Sequence, residues 1–179
     1  MIKGLFWNIR GISKAPKLRR IKQLIKVHNL QFLALCEPWL KVDKAERYRY
    51  KLNFHGLVHN KEGLVWFFFK EPFSGLIVGE SSQHVSVRLS HEHLSGSQLV
   101  VSFVHARCTS EERCELWDGL LRDNPGSAAW VVGGDFNVIL EAAEKKGGRA
   151  FAPFEAMEFK DFITEANLTD IGFSGARFT

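Results

Sequence analysis

Four side chains that offer an oxygen stand where apolar runs of this chain stop. Lys3-Gly4-Leu5-Phe6-Trp7 leads into Asn8, and Gln31-Phe32-Leu33-Ala34-Leu35-Cys36 leads into Glu37. Trp130-Val131-Val132-Gly133-Gly134 leads into Asp135, with Asn137 two residues on. If the three runs are neighbouring strands, these carboxylates and amides meet at one edge of the fold. Such a set suits a hard divalent cation, Mg²⁺ above all, which prefers carboxylate, amide and water oxygens. A cation held by one or two carboxylates and turned toward substrate phosphates recurs in phosphoryl chemistry. The pattern therefore points to phosphodiester cleavage.

Each piece also has a plainer reading. In Gly133-Gly134-Asp135-Phe136-Asn137, two glycines let a strand end turn tightly and let backbone approach a ligand. Asp135 and Asn137 share one side of an extended chain, yet Asp and Asn also favour simple turns after strands. On the residues alone the two readings are even. Asn8 at a strand end can bond its own backbone. Glu37 follows six mostly apolar residues, so it needs a partner or a metal. A salt bridge to a nearby arginine is the alternative.

These residues require elements to carry them. After the first strand and an Arg10-Gly11-Ile12-Ser13 loop, Leu18, Ile21, Leu24 and Ile25 recur at helical spacing, which predicts a helix from Pro16 to Asn29. Its opposite face carries Lys17, Arg20 and Lys22. Pro38 argues against helix after Glu37. Residues 41 to 60 read as a loop or short irregular helix. Strands are expected over Leu64 to Phe69, Gly75 to Gly79, His84 to Leu89 and Gln98 to Ala106, with a hairpin turn at Ser95-Gly96. Thr109 and Glu112 form a capping box for a helix to about Arg122, with Leu116, Trp117, Leu120 and Leu121 inward. Pro153 to Ala166 reads as a third helix, with Phe154, Met157, Phe162 and Ile163 as its apolar positions. Strands outnumber helices, which predicts a single α/β, or α+β, layered domain over residues 1–179, its helices outside packed sheets.

The composition agrees. The chain has 179 residues, 45% hydrophobic and 25% charged, with fifteen Phe and five Trp. That is globular composition with ample apolar area for one core. A net charge of +4 suits a polyanionic partner. It equally suits an ordinary basic surface. The three cysteines, Cys36, Cys108 and Cys114, have no metal-ligand spacing, and no leader is expected before the first strand. These point to a reducing, intracellular setting, nucleus or cytoplasm, with cysteines acting as small apolar groups. The longest apolar run, Leu64 to Phe69, is too short to span a bilayer.

The segments WNIRG, LALCE and VVGGDFN, in that order, resemble the endonuclease/exonuclease/phosphatase superfamily. They look most like the endonuclease domains of LINE-type (non-LTR) retrotransposons, those of plants in particular. Phe103-Val104-His105-Ala106, Arg113, Leu116-Trp117, Gly147-Gly148, Leu168 to Phe173 and Phe178-Thr179 extend the likeness over nearly the whole chain. The resemblance implies a four-layer α/β sandwich and Mg²⁺-dependent phosphoester hydrolysis, with Mn²⁺ as the alternative ion. By resemblance Glu37 is the principal metal ligand, with Asn8 beside it. Asp135 aligns or deprotonates the attacking water, and Asn137 holds the scissile phosphate. His105 stands where the family places a tyrosine that helps hold the phosphate or water.

The family also carries a Ser-Asp-His segment on a last strand, which this sequence lacks. The expectation is a C-terminally incomplete domain with weak or no cleavage. Arg10, Lys17, Arg20 and Trp39 are expected to contact DNA, the basic residues through phosphates and Trp39 by stacking. Such a basic run is more often the solvated face of a helix, and the aromatic is equally a packed loop residue. Three functions stay open: a DNA-nicking endonuclease followed in an intact element by a reverse transcriptase, a non-catalytic nucleic-acid-binding remnant, and a phosphatase or lipid phosphodiesterase of the same superfamily.

Overall fold

The computed structural model describes residues 2–91, 98–147, 150–172 and 174. Among these, β1 is Gly4–Asn8, α1 Ala15–His28, β2 Phe32–Cys36, α2 Ala45–Leu52 and β3 Gly56–His59. Then follow β4 Val65–Phe69, β5 Ser74–Glu80, β6 His84–Ser90, β7 Leu99–His105, α3 Ser110–Arg122, β8 Ala129–Asp135 and α4 Pro153–Glu165. The strands form two four-stranded sheets, ordered β1-β2-β4-β3 and β5-β6-β7-β8. The predicted hairpin turn at Ser95-Gly96 lies outside the described residues.

The three runs that opened the sequence argument are not all neighbours. β1 and β2 pair in parallel, Asn8 opposite Cys36. β8 belongs to the other sheet, parallel to β7, with Asp135 opposite His105. A parallel pair needs a crossover, and each sheet has one here: α1 joins β1 to β2, and α3 joins β7 to β8. β1 and β8 are the edge strands of their sheets and meet across the sandwich. Ligand sites in such α/β arrangements lie beyond the carboxyl ends of parallel strands. Both crossovers deliver those ends to the same place.

Alternation explains the layers. In β2, Phe32, Ala34 and Cys36 enter an apolar cluster with Val85, Val87 and Val101 of the opposing sheet. Leu33 and Leu35 turn the other way, onto Ile21 and Ile25 of α1 and Tyr48 and Leu52 of α2. β4 does the same, with Phe67 inward and Trp66 and Phe68 under the helices. Strands covered on both faces read as continuous apolar runs rather than alternating ones. Leu116, Trp117 and Leu120 of α3 pack with Phe159 and Phe162 of α4 on the outer face of the second sheet. The result is the expected four-layer sandwich.

α1 starts with Pro16 in its first turn and ends on Asn29 in the left-handed conformation, which caps it. Thr109 caps α3 as expected, accepting from Glu112 N–H and donating to the Glu112 carboxylate at 2.8 Å. Two readings change. The 41–60 segment, read as a loop or short irregular helix, holds the eight-residue helix α2 and adds a strand, β3, that was not expected. In α4, Phe162 is buried, but Phe154 and Met157 are 67% and 59% exposed. Ala156 and Phe159 take the inner face instead, because the stripe facing α3 runs through 156, 159 and 162.

Candidate phosphoryl-transfer site

Asn8 is the hinge of the site. As the last residue of an edge strand facing the other sheet, it reaches both halves of the molecule. Its Nδ2 donates to Glu37 Oε1 at 2.7 Å and to Asp135 Oδ2 at 2.8 Å. Residues from three strand ends in two sheets are thereby joined by one amide. With Nδ2 turned to the carboxylates, Asn8 Oδ1 is buried and has no hydrogen-bond partner among the described residues.

Glu37 is held from several sides. His105 Nε2 lies 3.3 Å from Oε1, and Trp39 Nε1 donates to Oε2 at 3.2 Å. Desolvation is the largest single influence on Glu37 and pushes its pKa up. The Asn8 amide, then the charge of His105 and the Trp39 and His105 hydrogen bonds, outweigh it. The net shift is below the ordinary glutamate value, so Glu37 is ionised at neutral pH. Cys36 Sγ, one residue earlier, points into the core at the Val104 carbonyl. Burial, then the charges of Asp135 and Glu37, push its pKa far up, so it stays a protonated, inert thiol.

The Asp135 side is built from backbone. Ala106 N–H donates to the Asp135 carbonyl at 2.8 Å, Asn137 N–H to Asp135 Oδ1 at 3.2 Å, and Asn137 Nδ2 to the Ala106 carbonyl at 2.7 Å. Of the two glycines before Asp135, only Gly134 has its space taken. A Cβ there would sit 2.1 Å from the Val104 oxygen, while one at Gly133 meets nothing within 4 Å.

Four non-glycine residues around the site are left-handed: Arg10 (φ 45°), Glu37 (φ 50°), Trp39 (φ 53°) and Asn137 (φ 50°). Asn tolerates this region, whereas Arg, Glu and Trp rarely enter it, and such strain concentrates at functional sites. The β1–α1 loop is locked to the β2 exit: Gly11 N–H donates to the Glu37 carbonyl and Ile12 N–H to that of Pro38. The Lys17 ammonium donates to the carbonyls of Ile9 and Arg10, so its charge is spent steadying this loop. Arg20 bonds Gln23 on its own helix. Arg10 is exposed and lines a cavity of about 820 Å³ shared with Asp135, Phe136, Asn137, Phe151 and Ala152.

One supporting residue entered the sequence argument only as part of the family likeness, with no task at the site. Arg113, 2% exposed, pairs with Glu158 at 2.6 Å and donates to the carbonyls of Cys108 (2.8 Å) and Asn137 (3.4 Å). Its signal was a cationic residue three before Leu116, in phase with the apolar face of α3.

The oxygen set fits a hard cation. Asn8 Oδ1 is an orphaned buried acceptor beside an ionised carboxylate, and a buried acceptor without a partner is costly. Among the described residues no three His, Cys, Asp or Glu side chains gather as a full protein cage. Mg²⁺ keeps several waters and commonly takes only one or two carboxylates.

The model of the Endonuclease/Exonuclease/phosphatase family matches residues 5–170. Among solved structures, the AP endonuclease LMAP from Leishmania major superposes with a TM-score of 0.69 at 15% identity, over 93% of this chain and 67% of that one. The endonuclease domain of TRAS1, a telomere-specific non-LTR retrotransposon, gives 0.67 at 11% identity, over 96% and 75%. D. rerio TDP2 complexed with single strand DNA product gives 0.61 at 12%, over 96% and 66%. At these identities the likeness is one of fold. No curated protein sequence matches the chain. Among the described residues no helix is long and apolar enough to cross a membrane. With a family model matched from β1 to beyond α4, over a sandwich of the expected order, the chain belongs to the endonuclease/exonuclease/phosphatase family.

Proposed function

We propose that this chain is an Mg²⁺-dependent phosphodiesterase domain that nicks DNA, derived from a LINE-type retrotransposon of the plant kind. In an intact element it would act beside a reverse transcriptase. The observation that supports this best is the Asn8 amide shared between Glu37 and Asp135, which puts a candidate ligand and a candidate base within reach of one substrate phosphate.

Glu37 and Asn8 Oδ1 would hold the cation, Mg²⁺ or Mn²⁺. When bound, it supplies positive charge against a phosphate oxygen. The chain's own groups do the rest. Asp135 accepts a proton from, or aligns, the water that attacks phosphorus in line. Its other oxygen is fixed by the Asn137 N–H, which keeps the carboxylate from rotating away. Asn137, with its amide steadied on the Ala106 carbonyl, donates to the scissile phosphate. His105, in reach of Glu37, donates a hydrogen bond where the family has a tyrosine. Arg10 meets the DNA backbone on the cavity wall, and Lys17 acts by holding the loop that presents it. Arg20 adds a salt-dependent contact from the exposed side of α1.

Nicking of supercoiled plasmid in Mg²⁺ tests the reading. Glu37→Gln and Asp135→Asn are expected to lower cleavage by about 10²–10³, with thermal melting unchanged. A variant of either kind that nicks as fast as the parent overturns the assignment.

A further inference from the structure

Pro38 is buried between two left-handed residues, Glu37 and Trp39, and this kink lifts the Trp39 side chain out of the β2 exit. One part of the indole packs on Gly11. A Cβ at Gly11 would sit 2.9 Å from Trp39 Cε3, and its φ of 92° also demands glycine. Trp39 Nε1 donates to Glu37 Oε2. Trp39 as a residue is nevertheless 67% exposed. A large apolar surface is thus held rigidly in water, in a backbone conformation that tryptophan seldom adopts, and hydrogen-bonded to the candidate metal ligand. Core packing does not explain it, since burial would have stabilised the ring more. Arg10, also left-handed and exposed, precedes Gly11 and brings a cation to the same rim.

We propose that the outer face of Trp39 is a stacking platform for one unpaired nucleobase of the strand whose phosphate enters the Asn8–Glu37–Asp135 centre. This deepens the function proposed above and rests on it. The base must be unpaired because a continuous duplex offers no free π-face. A single strand, a frayed end or an extruded nucleotide does. Arg10 takes the adjoining phosphate, so base and backbone are gripped from neighbouring loops that are bonded to each other. The indole N–H couples the platform to the centre, since a stacked base fixes the ring and the ring fixes one Glu37 oxygen. Substrates that present an unpaired nucleotide beside the scissile phosphate are therefore preferred.

Fluorescence polarisation with a labelled ten-nucleotide single strand and a long blunt duplex that contains the same sequence, both in EDTA, tests this without cleavage. Trp39→Ala is expected to weaken single-strand binding about tenfold and duplex binding less than about twofold. Trp39→Phe, which keeps a π-face, retains single-strand affinity, and circular dichroism melting confirms that all three proteins fold. Equal affinity of Trp39→Ala and parent for the single strand overturns the platform. So does an equal loss on both probes, which would mark a general surface or a protein-docking residue. If the platform fails while Glu37→Gln still abolishes plasmid nicking, the metal centre stands alone. If Glu37→Gln nicks normally, the centre and the platform fall together.

Discussion

β2 and β8 are both apolar strands that deliver an acidic residue of the site, Glu37 just after β2 and Asp135 at the end of β8, yet the protein treats them differently. Every residue of β2 is buried, while β8 buries none fully and leaves Val131 53% exposed. β2 lies between β1 and β4, under α1 and α2 and over the second sheet. β8 pairs on one side only, with β7, among the described residues. Beside it runs an apolar groove of about 450 Å³ lined by Trp130, Val132, Phe136, Phe162 and Leu168. Apolarity makes a strand, but neighbours bury it. Glu37 therefore hangs from a rigid core, whereas Asp135 depends on β7 hydrogen bonds, the Gly134 contact and the Arg113 clamp.

Matched truncations would expose that contrast. The largest loss is expected at Phe67, fully buried on β4 and packed on Phe103 of the other sheet at 4.5 Å between ring centroids. Phe67→Ala should cost about 3–5 kcal/mol in urea unfolding. A loss below about 1 kcal/mol would mean that the sheets are not cemented there.

Arg113→Ala comes next, at about 3 kcal/mol, because it strands the carboxylate of Glu158, which Ser110 also bonds. It also frees the Cys108 and Asn137 carbonyls. Nicking should fall more than stability alone explains, measured at a temperature where the variant remains folded. Stability loss with unaltered turnover would reduce Arg113 to a strut.

Some of this was legible in the sequence. β4 declares itself as an unbroken apolar run, α1 and α3 by period and caps, and the ends of β1, β2 and β8 by an oxygen-bearing residue after apolar ones. α2 showed only as a loop or short irregular helix, since half of AERYRYKL is charged and only Ala45, Tyr48 and Leu52 are inward. β3 is four residues long and starts at a glycine whose absent side chain admits the Phe69 ring. The division of the site between two sheets was illegible, because strand ends reveal chemistry but not which sheet each strand joins. The left-handed Arg10, Glu37 and Trp39 were hidden too, because nothing in those residue types announces a conformation that only tertiary contacts enforce.

A smaller effect is expected where the second sheet is tied to α3. His84 Nε2 donates to Asp123 Oδ2 at 2.9 Å, and Nδ1 lies 2.8 Å from Ser81 Oγ. Desolvation, the largest influence on Asp123, raises its pKa, but the His84 and Ser86 hydrogen bonds and the charges of His84 and Arg122 bring the net value below normal. A carboxyl with a depressed folded pKa stabilises above its unfolded pKa, and the contribution fades as pH falls through the folded one. Asp123→Asn should therefore cost about 1–2 kcal/mol at pH 7, and the gap to the parent should close below about pH 4. A gap that persists to pH 2 would assign the effect to packing.

The smallest change belongs to the open strand. Val131→Thr keeps the β-branched shape and removes one exposed methyl, so unfolding free energy should move by less than about 0.5 kcal/mol. Val87→Thr, on the covered strand β6 at 0% exposure, places the same hydroxyl in the apolar space between the sheets. It should cost about 1–3 kcal/mol. The ratio of the two measures how far β8 is from being a core strand. Equal losses would mean that the groove beside β8 is filled in solution, and that this flank is covered as closely as β2.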